Sequence, residues 1–299
     1  MAVGLAARTH TSLAFRIVNS LLLALLALTC LLPVVHVLAL SLSSKFAVSA
    51  GKVLFWPVDF HVYNYYVIYR YSGFLHALLV SVERTVMGAV VNMTLIVLTA
   101  YPLSRDAGDL KGRNILMWFF VVPLLFGGGL IPYYILVKDL GLRNTFWVMI
   151  VPQAVQIWSV IIMMNAFRNL PKPLYESATM DGASHMTVLT RIFLPLTRPV
   201  LATLLLFSMV GHWNSWFDAM IFINNPRMHP LQTIIQSLLA QAQVIANEAS
   251  GIDRKVLELL SDRSLIAAQI FIATLPILCV YPFLQKHFVK GIVLGAVKE

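Results

Sequence analysis

Six apolar stretches, each close to the length of a membrane-spanning helix, constrain this sequence more than any other feature. A bilayer core about 30 Å thick needs roughly 20 predominantly apolar residues in one helical span. The stretches cover residues 17–40, 74–100, 115–137, 145–165, 194–223 and 265–284. Of all residues 59% are hydrophobic and only 12% are charged, whereas soluble domains carry about 25% charged residues. The sequence therefore excludes a soluble domain and predicts an all-α, polytopic membrane protein with six transmembrane helices.

Basic residues predict which ends of these spans face the cytoplasm. With the N-terminus inside, twelve Lys and Arg residues fall on inner segments and nine on outer segments. Most of the outer ones lie in two long loops, which count for little in the positive-inside rule. We therefore expect a multi-pass protein of a bacterial cytoplasmic (inner) membrane with a cytoplasmic N-terminus. Val48-Ser49-Ala50 resembles a signal-peptide cleavage site, but the first stretch exceeds the roughly 7 to 15 residues of a signal core, which favours an uncleaved span.

The sequence lacks the residues that several classes of function require. The net charge of +9 comes from short basic clusters beside apolar spans and not from one stripe, so no nucleic acid partner is expected. Cys30 and Cys279 each lie inside an apolar run, which excludes a disulfide framework or a zinc cluster. The histidines show no metal-ligand spacing, and Gly51-Lys52 is followed by Val53 where a phosphate-binding loop needs Ser or Thr. We expect no catalytic residue, metal or cofactor on this chain.

Two segments outside the spans are long enough to form structure of their own. Residues 41–73 are rich in aromatic side chains, which suits a layer at the membrane interface. Within residues 224–264, apolar residues recur at helical spacing over 231–244 and predict an amphipathic helix. We therefore divide the chain into an N-terminal span with its outer aromatic segment, 1–73, and a core transmembrane domain, 74–299.

The cytoplasmic loop between the fourth and fifth spans carries helix-breaking and helix-ending residues in close succession. Pro171 and Pro173 interrupt the preceding helix, and small residues favour a short helix from about 174 to 180. Gly182 permits the sharp turn that follows, because glycine adopts positive φ without a steric penalty. A short helix that ends at a glycine turn forms a rigid lever between two spans, near residues 174–183.

This loop resembles the EAA motif of binding-protein-dependent ABC importers. The motif reads Glu-Ala-Ala, three residues, Gly, nine residues and Ile-x-Leu-Pro, and here it is Glu176-Ser177-Ala178, Gly182 and Ile192-Phe193-Leu194-Pro195. Ser177 replaces the first alanine, a change between two small residues. The resemblance implies that the loop docks in a cleft of a partner ATPase, with Glu176 paired to a basic residue there. The implied coupling residues are Tyr175, Glu176, Ser177, Ala178, Asp181, Gly182 and Ala183.

Three further stretches are similar to carbohydrate-importer permeases of the MalG-like class, in particular to its polysaccharide branch and to the smaller permease of alginate-type importers. They are Phe126–Pro132, Leu140–Thr145 and His212–Asp218. The resemblance covers about residues 70–299 and implies the ABC type I importer permease fold. It also implies a second permease subunit, two ATPase subunits that carry ATP and Mg, and an extracytoplasmic solute-binding protein. Such a complex moves an oligosaccharide, here one such as an alginate fragment, into the cytoplasm by ATP-driven alternating access.

Polar residues within the spans need partners or a water-lined cavity, so they mark candidate positions on the substrate path. The richest group lies in the fifth span and consists of His212, Trp213, Asn214, Trp216 and Asp218. Indole faces suit sugar rings, and Arg227, His212 and His229 suit an acidic saccharide. The alternative is that both tryptophans are interfacial anchors and that Asp218 pairs with a neighbouring helix.

Other features of the spans leave two interpretations open. Glu83 and Arg84 indicate a buried ion pair that holds helices in register, with Asn92 near the same face as Arg84. The alternative is a place on the substrate path, as it is for Gln156 in the fourth span. Gly127–Gly129 interrupts the third span, which indicates either a cavity-lining break or the end of a helix.

Three other functions are compatible with parts of the sequence. One is a permease of the same architecture for a non-sugar solute, such as a polyamine, phosphate or an amino acid. Measuring the uptake of a panel of labelled solutes would distinguish it from a sugar permease. A membrane-embedded enzyme that uses Glu83, His212 and Asp218 would act without nucleotide or partners. An ion-coupled secondary carrier would transport alone in a proton or sodium gradient. The coupling loop argues against the last two, because neither needs a lever for a separate ATPase.

Overall fold

The computed structural model describes residues 13–70, 73–106, 108–248 and 263–296. These residues form helices joined by turns and loops, and none of them belongs to a β-strand. The all-α prediction is therefore confirmed for this part of the chain. The described residues divide into two units: 13–70 with 244–248 and 263–272, and 73–243 with 273–296.

The first unit begins with a long helix, α1, at Leu13–Ser41. Its described side chains from Phe15 to Leu32 are exposed, and its most apolar window has a mean hydropathy of 2.6. A helix that is apolar on every side suits a lipid environment. The helices α2 at Lys45–Ser49 and α3 at Tyr63–Arg70 follow it.

Polar contacts tie the segment after α1 to the end of that helix. The Asn64 amide donates to the Ser41 carbonyl at 2.9 Å, and the Ser41 hydroxyl lies 2.7 Å from the Tyr65 hydroxyl. The Val58 N–H donates to the Ser43 hydroxyl at 3.0 Å. Most aromatic side chains of this segment remain exposed, which suits the predicted interface layer: Phe46, Phe55, Trp56, Phe60, Tyr63, Tyr66 and Tyr69.

The remaining helices follow in chain order. They are α4 (Gly73–Leu103), α5 (Arg113–Leu125), α6 (Leu130–Asp139), α7 (Ile157–Arg168), α8 (Lys172–Met180), α9 (His185–Val188), α10 (Leu194–Leu196), α11 (Arg198–Asn214), α12 (Phe217–Phe222), α13 (Leu231–Glu248) and α14 (Arg263–Ala296). Short 3₁₀ turns lie at Phe146–Met149, Val151–Gln153 and Pro226–Met228, and a π-helical turn lies at Leu189–Phe193. Within the second unit, α4 packs most extensively against α11 and α7.

Two groups of buried apolar residues lie in the described part of the second unit. The coupling-end cluster joins α4 and α7 to the chain from α9 to α11, and it contains Ile96, Ala100, Tyr101, Leu103, Val160, Met163, Met164, Phe167, Val188, Leu189, Phe193 and Leu204. The far-end cluster contains Val80, Val137, Val148, Met149, Ala219, Phe222 and Ile223.

Three of the predicted spans are broken or bent. Gly127–Gly129 separates α5 from α6 and interrupts the predicted third span. The helices on the two sides of Thr197 differ in direction by 85°, and those on the two sides of residues 154–156 differ by 48°. Pro195 and Pro199 flank the bend at Thr197. Proline has no backbone N–H, so it cannot donate the hydrogen bonds that would continue one straight helix.

The number of spans is the part of the fold prediction that the structure leaves unconfirmed. Among the described residues, Phe15–Ser41 and Gly73–Leu103 are long and apolar enough to cross a membrane, and four spans result if each bent pair counts as one. Shorter apolar helices lie at Arg113–Leu125, Leu231–Ala240 and Arg263–Cys279. Breaks in the predicted third, fourth and fifth spans lower the number of straight helices that are long enough to cross a membrane.

The amphipathic helix predicted within the segment 224–264 is confirmed as α13. Leu231 and Ile235 of α13 are buried. Residues 249–262 of the same segment lie outside the described residues.

Candidate functional site

The predicted lever is a helix with a defined stop. Its helix, α8, covers the predicted residues 174–180, so that prediction is confirmed. Gly182 has a φ of +77°, and its N–H donates to the Thr179 carbonyl at 3.1 Å. The Ala183 N–H donates to the Ala178 carbonyl at 2.9 Å. These two bonds form a Schellman motif, which satisfies carbonyls at the end of the helix and fixes the direction of the chain after it.

The lever has one face toward the protein and one face toward solvent. Tyr175 and Ala178, three residues apart on α8, pack with Ala183 against the coupling-end cluster. The other predicted coupling residues are exposed: Glu176, Ser177, Asp181 and Gly182. Met180 is 88% exposed, and Met186 on the following helix α9 is 57% exposed. The lever therefore exposes apolar and acidic side chains to solvent while its inner face packs against the protein.

Aromatic rings surround the inner face of the lever. The Tyr175 ring stacks on the His185 ring, with centroids 6.4 Å apart and an angle of 18° between the planes. The Arg105 guanidinium lies 4.0 Å from the centre of the Tyr175 ring. A cavity of about 420 Å³ opens beside these rings, between the end of α4, the end of α7 and the start of α8.

One exposed ion pair also joins the lever to the segment after α4. The Lys172 Nζ donates to Asp106 Oδ2 at 2.8 Å, and both side chains are largely exposed. This hydrogen bond holds the pKa of the Asp106 carboxyl below its usual value, and it raises the pKa of the Lys172 ammonium. Because water and salt screen such a pair, we expect it to add little to stability.

Asp218, one of the predicted path residues, takes part in a buried ion pair with Arg84 of α4. Arg84 is fully buried and also donates to the Ser215 carbonyl at 2.9 Å. Asp218 Oδ1 accepts from the Ala219 N–H at 2.8 Å. Glu83, the neighbour of Arg84 in sequence, is exposed. The pair therefore links α4 to the start of α12, which fits the alternative interpretation of Asp218.

The sequence contained a signal for this pairing. Glu83 and Asp218 are the only acidic residues inside the predicted spans. Adjacent residues of a helix do not face each other, so Glu83 is poorly placed to reach Arg84. Asp218 was the remaining candidate partner.

A second buried polar group surrounds Asn92 of α4, and the sequence pattern did not predict it. In the orientation that satisfies its hydrogen bonds, the Asn92 amide nitrogen donates to the carbonyls of Ala154 and Gly88, at 3.3 and 3.1 Å. Its oxygen then accepts from Gln156, Ser208 and His212, at 2.9, 3.2 and 3.2 Å. The group joins α4, the start of α7 and α11, and each polar group in it finds a partner, as burial requires.

Gly88 lies directly against the His212 ring. A Cβ atom at this position would lie 2.5 Å from His212 Nε2, closer than any normal contact. The absence of a side chain at Gly88 therefore lets α4 and α11 approach closely, as small residues do where helices cross in membranes.

Of the other residues predicted on the substrate path, some are buried within the protein and some are exposed. Trp213 is buried, and its indole N–H donates to the Ala273 carbonyl at 3.0 Å. Trp216 is half-buried, and Asn214 is exposed. Phe207, seven residues before Asn214, is also exposed, so both lie on one face of α11. Phe207 and the exposed Trp158 line one groove.

Two loops at the far end of the second unit are joined by Asn144. This residue has a φ of +55°, and its N–H donates to the Phe222 carbonyl at 2.9 Å. Its side-chain oxygen accepts from the N–H groups of Asn224 and Asn225, at 3.1 and 3.2 Å. Asparagine tolerates positive φ better than most residues, which suits it to this joint.

Metal-binding chemistry has no candidate in the described part of the chain. Within it, no group of three or more His, Cys, Asp or Glu side chains could hold a metal ion. Cys30 and Cys279 are free and exposed.

Comparison with known proteins gives consistent matches. Residues 95–293 match the family described as binding-protein-dependent transport system inner membrane component. Protein LplC of Bacillus subtilis (strain 168) is 37% identical over 290 residues, which cover 97% of this chain and 97% of that protein. The polygalacturonan/rhamnogalacturonan transport system permease protein YtcP of the same organism is 38% identical over 281 residues, which cover 92% and 95%.

Among solved structures, the chain is similar to a chain in the crystal structure of a bacterial ABC transporter involved in the import of the acidic polysaccharide alginate. The TM-score is 0.80 at 28% identity, and the match covers 96% of this chain and 100% of that chain.

Proposed function

Because the chain belongs to the family of binding-protein-dependent transport system inner membrane components, we propose that it imports an oligosaccharide derived from an acidic polysaccharide. It is the permease subunit of an ABC importer and a transport component, not an enzyme. The assignment to an ATP-driven complex is carried by the partition of the lever into an inner face packed on the coupling-end cluster and an exposed apolar tip around Met180. This partition gives an ATPase subunit a surface to bind and gives the spans a connection to that surface.

The lever binds the ATPase through its exposed residues. Met180 and Met186 supply apolar area that a cleft can remove from water, and flexible methionine side chains adapt to such a cleft. Glu176 lies beside this area and pairs with a basic residue of the ATPase. Because Tyr175 and Ala178 pack against the coupling-end cluster, a displacement of α8 is carried into α4 and α7.

A single added charge at the lever tip tests this assignment. In Met180→Asp, a buried carboxylate would oppose docking, so we expect the purified membrane complex to lose its ATPase subunits. Asn114→Asp adds the same charge at an exposed site at the start of α5 and serves as the matched control. Retention of ATPase subunits by the Met180 variant at the level of the control would refute the docking role of the tip.

The working complex contains further chains. We propose a second permease subunit beside this one, two ATPase subunits that carry ATP and Mg, and an extracytoplasmic solute-binding protein. The family description names the dependence on a binding protein. Closure of the ATPase dimer moves the lever, and the spans then open toward the docked binding protein. Purification of the complex from native membranes, followed by identification of each chain by mass, tests this composition.

The membrane arrangement is proposed as six spans with a cytoplasmic N-terminus, and the chain divides into 1–73 and 74–299. Apolar helices or bent helix pairs cover each predicted span, including α5 with α6 and the first half of α14. Single cysteines at exposed Lys111 and Lys138, on opposite sides of the third span, provide the test. Only the cysteine at 138 should react with an impermeant thiol reagent added outside intact cells.

The acidic character of the substrate rests on two supports. YtcP and the alginate transporter are both named for acidic polysaccharides. In this chain, the two loops joined by Asn144 carry Arg143 and the exposed Arg227, which suit carboxylates. Uptake by cells should favour oligogalacturonate or alginate fragments over neutral sugars of equal length. Arg227→Gln should reduce that preference, and equal uptake of acidic and neutral sugars by the wild type would contradict the proposal.

We place the substrate path on the exposed face of α11. Asn214 can bond sugar hydroxyls there and Phe207 can stack on sugar rings, as can the half-buried Trp216 just beyond the end of α11. His212, Trp213 and Asp218 lie behind this face, and their present partners within the protein hold the spans together. Asn214→Ala should change the preferred length of the oligosaccharide while ATP hydrolysis by the complex is retained. An unchanged length preference would move the path elsewhere.

A further inference from the structure

Arg105 lies two residues beyond the end of α4, at the centre of an aromatic group. Its guanidinium carbon is 4.7 Å from the centre of the Tyr101 ring, 4.0 Å from that of Tyr175 and 4.6 Å from that of Phe193. All three distances fall within the range of cation–π attraction, which extends to about 6 Å. We call Arg105 with these three rings the arginine cage.

The three rings come from three different elements. Tyr101 belongs to α4, Tyr175 to the lever α8, and Phe193 to the π-helical turn that leads into α11. The rings also contact each other, because Tyr101 and Phe193 meet edge to face with centroids 5.5 Å apart. The cage is thus a point where the lever touches two spans at once.

Arg105 makes no ion pair within the described residues, and two of its buried nitrogens, Nε and one Nη, lack a hydrogen-bond partner there. Ring faces take the place of directional acceptors around this cation. Attraction to a ring face depends less on angle than a hydrogen bond does, so the guanidinium can shift across the rings without losing its attraction.

We propose that Arg105 is a positioning residue that joins the lever to α4 and to the π-helical turn, so that lever movement reaches both spans together. This inference rests on the proposed function, because it assigns a path for the movement that the ATPase imposes on α8. Without the cation, the inner face of the lever would keep the apolar packing of Tyr175, Ala178 and Ala183 and the stacking of Tyr175 on His185.

The adjacent residue provides an internal control. Asp106 also reaches the lever, through its ion pair with Lys172, but that pair is exposed to water. Two neighbouring residues thus contact the same helix, one through solvent-screened charge and one through a cation enclosed by rings. Asp106→Asn should therefore leave coupling unchanged if the arginine cage carries it.

The test compares ATP hydrolysis and transport in the reconstituted complex with its own binding protein. In Arg105→Met, which keeps the apolar stem but removes the charge, the complex should assemble and hydrolyse ATP at the basal rate. Stimulation by loaded binding protein should fall about fivefold or more, since three ring contacts lose their cation. Arg105→Lys, which keeps the charge, should restore part of the stimulation.

A pair of ring variants separates coupling from stability. Tyr101→Phe keeps the ring and should keep the stimulation of ATP hydrolysis. Tyr101→Leu removes the ring and should lose that stimulation. The double variant with Arg105→Met should then show no further loss of stimulation. Full stimulation in Arg105→Met, or equal behaviour of the two Tyr101 variants, would overturn the inference. Loss of assembly in both Arg105→Met and Arg105→Lys would also overturn it, because Arg105 would then be needed for folding. The docking test at Met180 is independent, so it distinguishes failure of the proposed function from failure of this inference.

Discussion

Arg84 and Arg105 belong to the same length of chain, one inside α4 and one just beyond it, yet the protein holds them in opposite ways. Arg84 is fully buried, pairs with Asp218 and donates to the Ser215 carbonyl. Arg105 is partly exposed and is held by ring faces. Directional bonds fix distances and angles, whereas ring faces permit sliding. Arg84 therefore forms a rigid joint where α4 meets α12, and Arg105 forms an adaptable joint at the lever.

The rigid joint extends beyond Arg84. Asn92, His212 and their partners form a hydrogen-bonded group in which three elements meet. In a medium of low dielectric constant such groups are strong when satisfied and expensive when broken. Rearrangement of this region is therefore expected to be rare, and movement of the lever should leave it intact.

The largest effect should come from breaking the rigid joint at its ion pair. Arg84→Met leaves Asp218 as a buried carboxylate without its partner, which should lower the free energy of unfolding by about 3–5 kcal/mol. Thermal unfolding of the purified protein in detergent measures this loss. Glu83→Gln, which changes an exposed side chain on the same helix, should have no measurable effect.

The double variant Arg84→Met with Asp218→Leu sharpens this prediction. Because it removes both charges, it should recover most of the stability that either single variant loses. A double variant as unstable as the sum of the singles would show that Arg84 stabilises the joint mainly through other contacts.

The next effect concerns the close approach of α4 and α11. Gly88→Ala places a Cβ atom 2.5 Å from His212 Nε2, so the ring must leave its hydrogen-bonded position. Overpacking of this kind should destabilise the protein by about 1–3 kcal/mol in the same unfolding assay. Gly211→Ala is the matched control, because a Cβ atom there meets nothing within 4 Å. Equal stability of the two alanine variants would mean that the two helices are free to separate.

A smaller and local effect should come from the lever. Gly182 has a φ of +77° and open space around it, so Gly182→Ala strains only the backbone, by about 1–2 kcal/mol. The global unfolding temperature should stay close to that of the wild type. Limited proteolysis at the lever should become faster, and stimulation of ATP hydrolysis should fall. Gly182→Asn should be milder, and identical behaviour of Ala and Asn would argue against a role for the positive φ.

The smallest effect should come from the exposed pair of Asp106 and Lys172. Because the pKa of Asp106 is lowered in the folded protein, its contribution to stability is fully present above the usual pKa of 3.8. That contribution is lost as the pH falls through the lower pKa of the folded protein. The raised pKa of Lys172 makes its contribution present below 10.5 and lost as the pH rises through the higher value. Between these limits, Asp106→Asn should change neither unfolding temperature nor salt dependence measurably, and a clear change would show that the pair is less screened than its exposure indicates.

Local signals allowed the lever to be predicted. Pro171, Pro173 and Gly182 set the start and end of α8 through their own backbone preferences, and the structure contains the helix and the positive φ. Such preferences act within a few residues of chain and need no knowledge of the fold. The count of spans was harder, because the bend at Thr197 and the break at Gly127–Gly129 depend on packing as well as on local sequence.

The sequence by itself determined that this chain is a helical membrane protein with a short helix that ends before the glycine turn at Gly182, because hydropathy and backbone preference are properties of short segments. Only the tertiary structure decided which side chains meet. Arg84 and Asp218 are 134 residues apart, and Arg105 reaches Tyr175 and Phe193 from another element. A polar residue in a span must find a partner, but the identity of the partner depends on which helices cross and on where along their length they cross. Packing fixes both, and the linear order of residues does not record them.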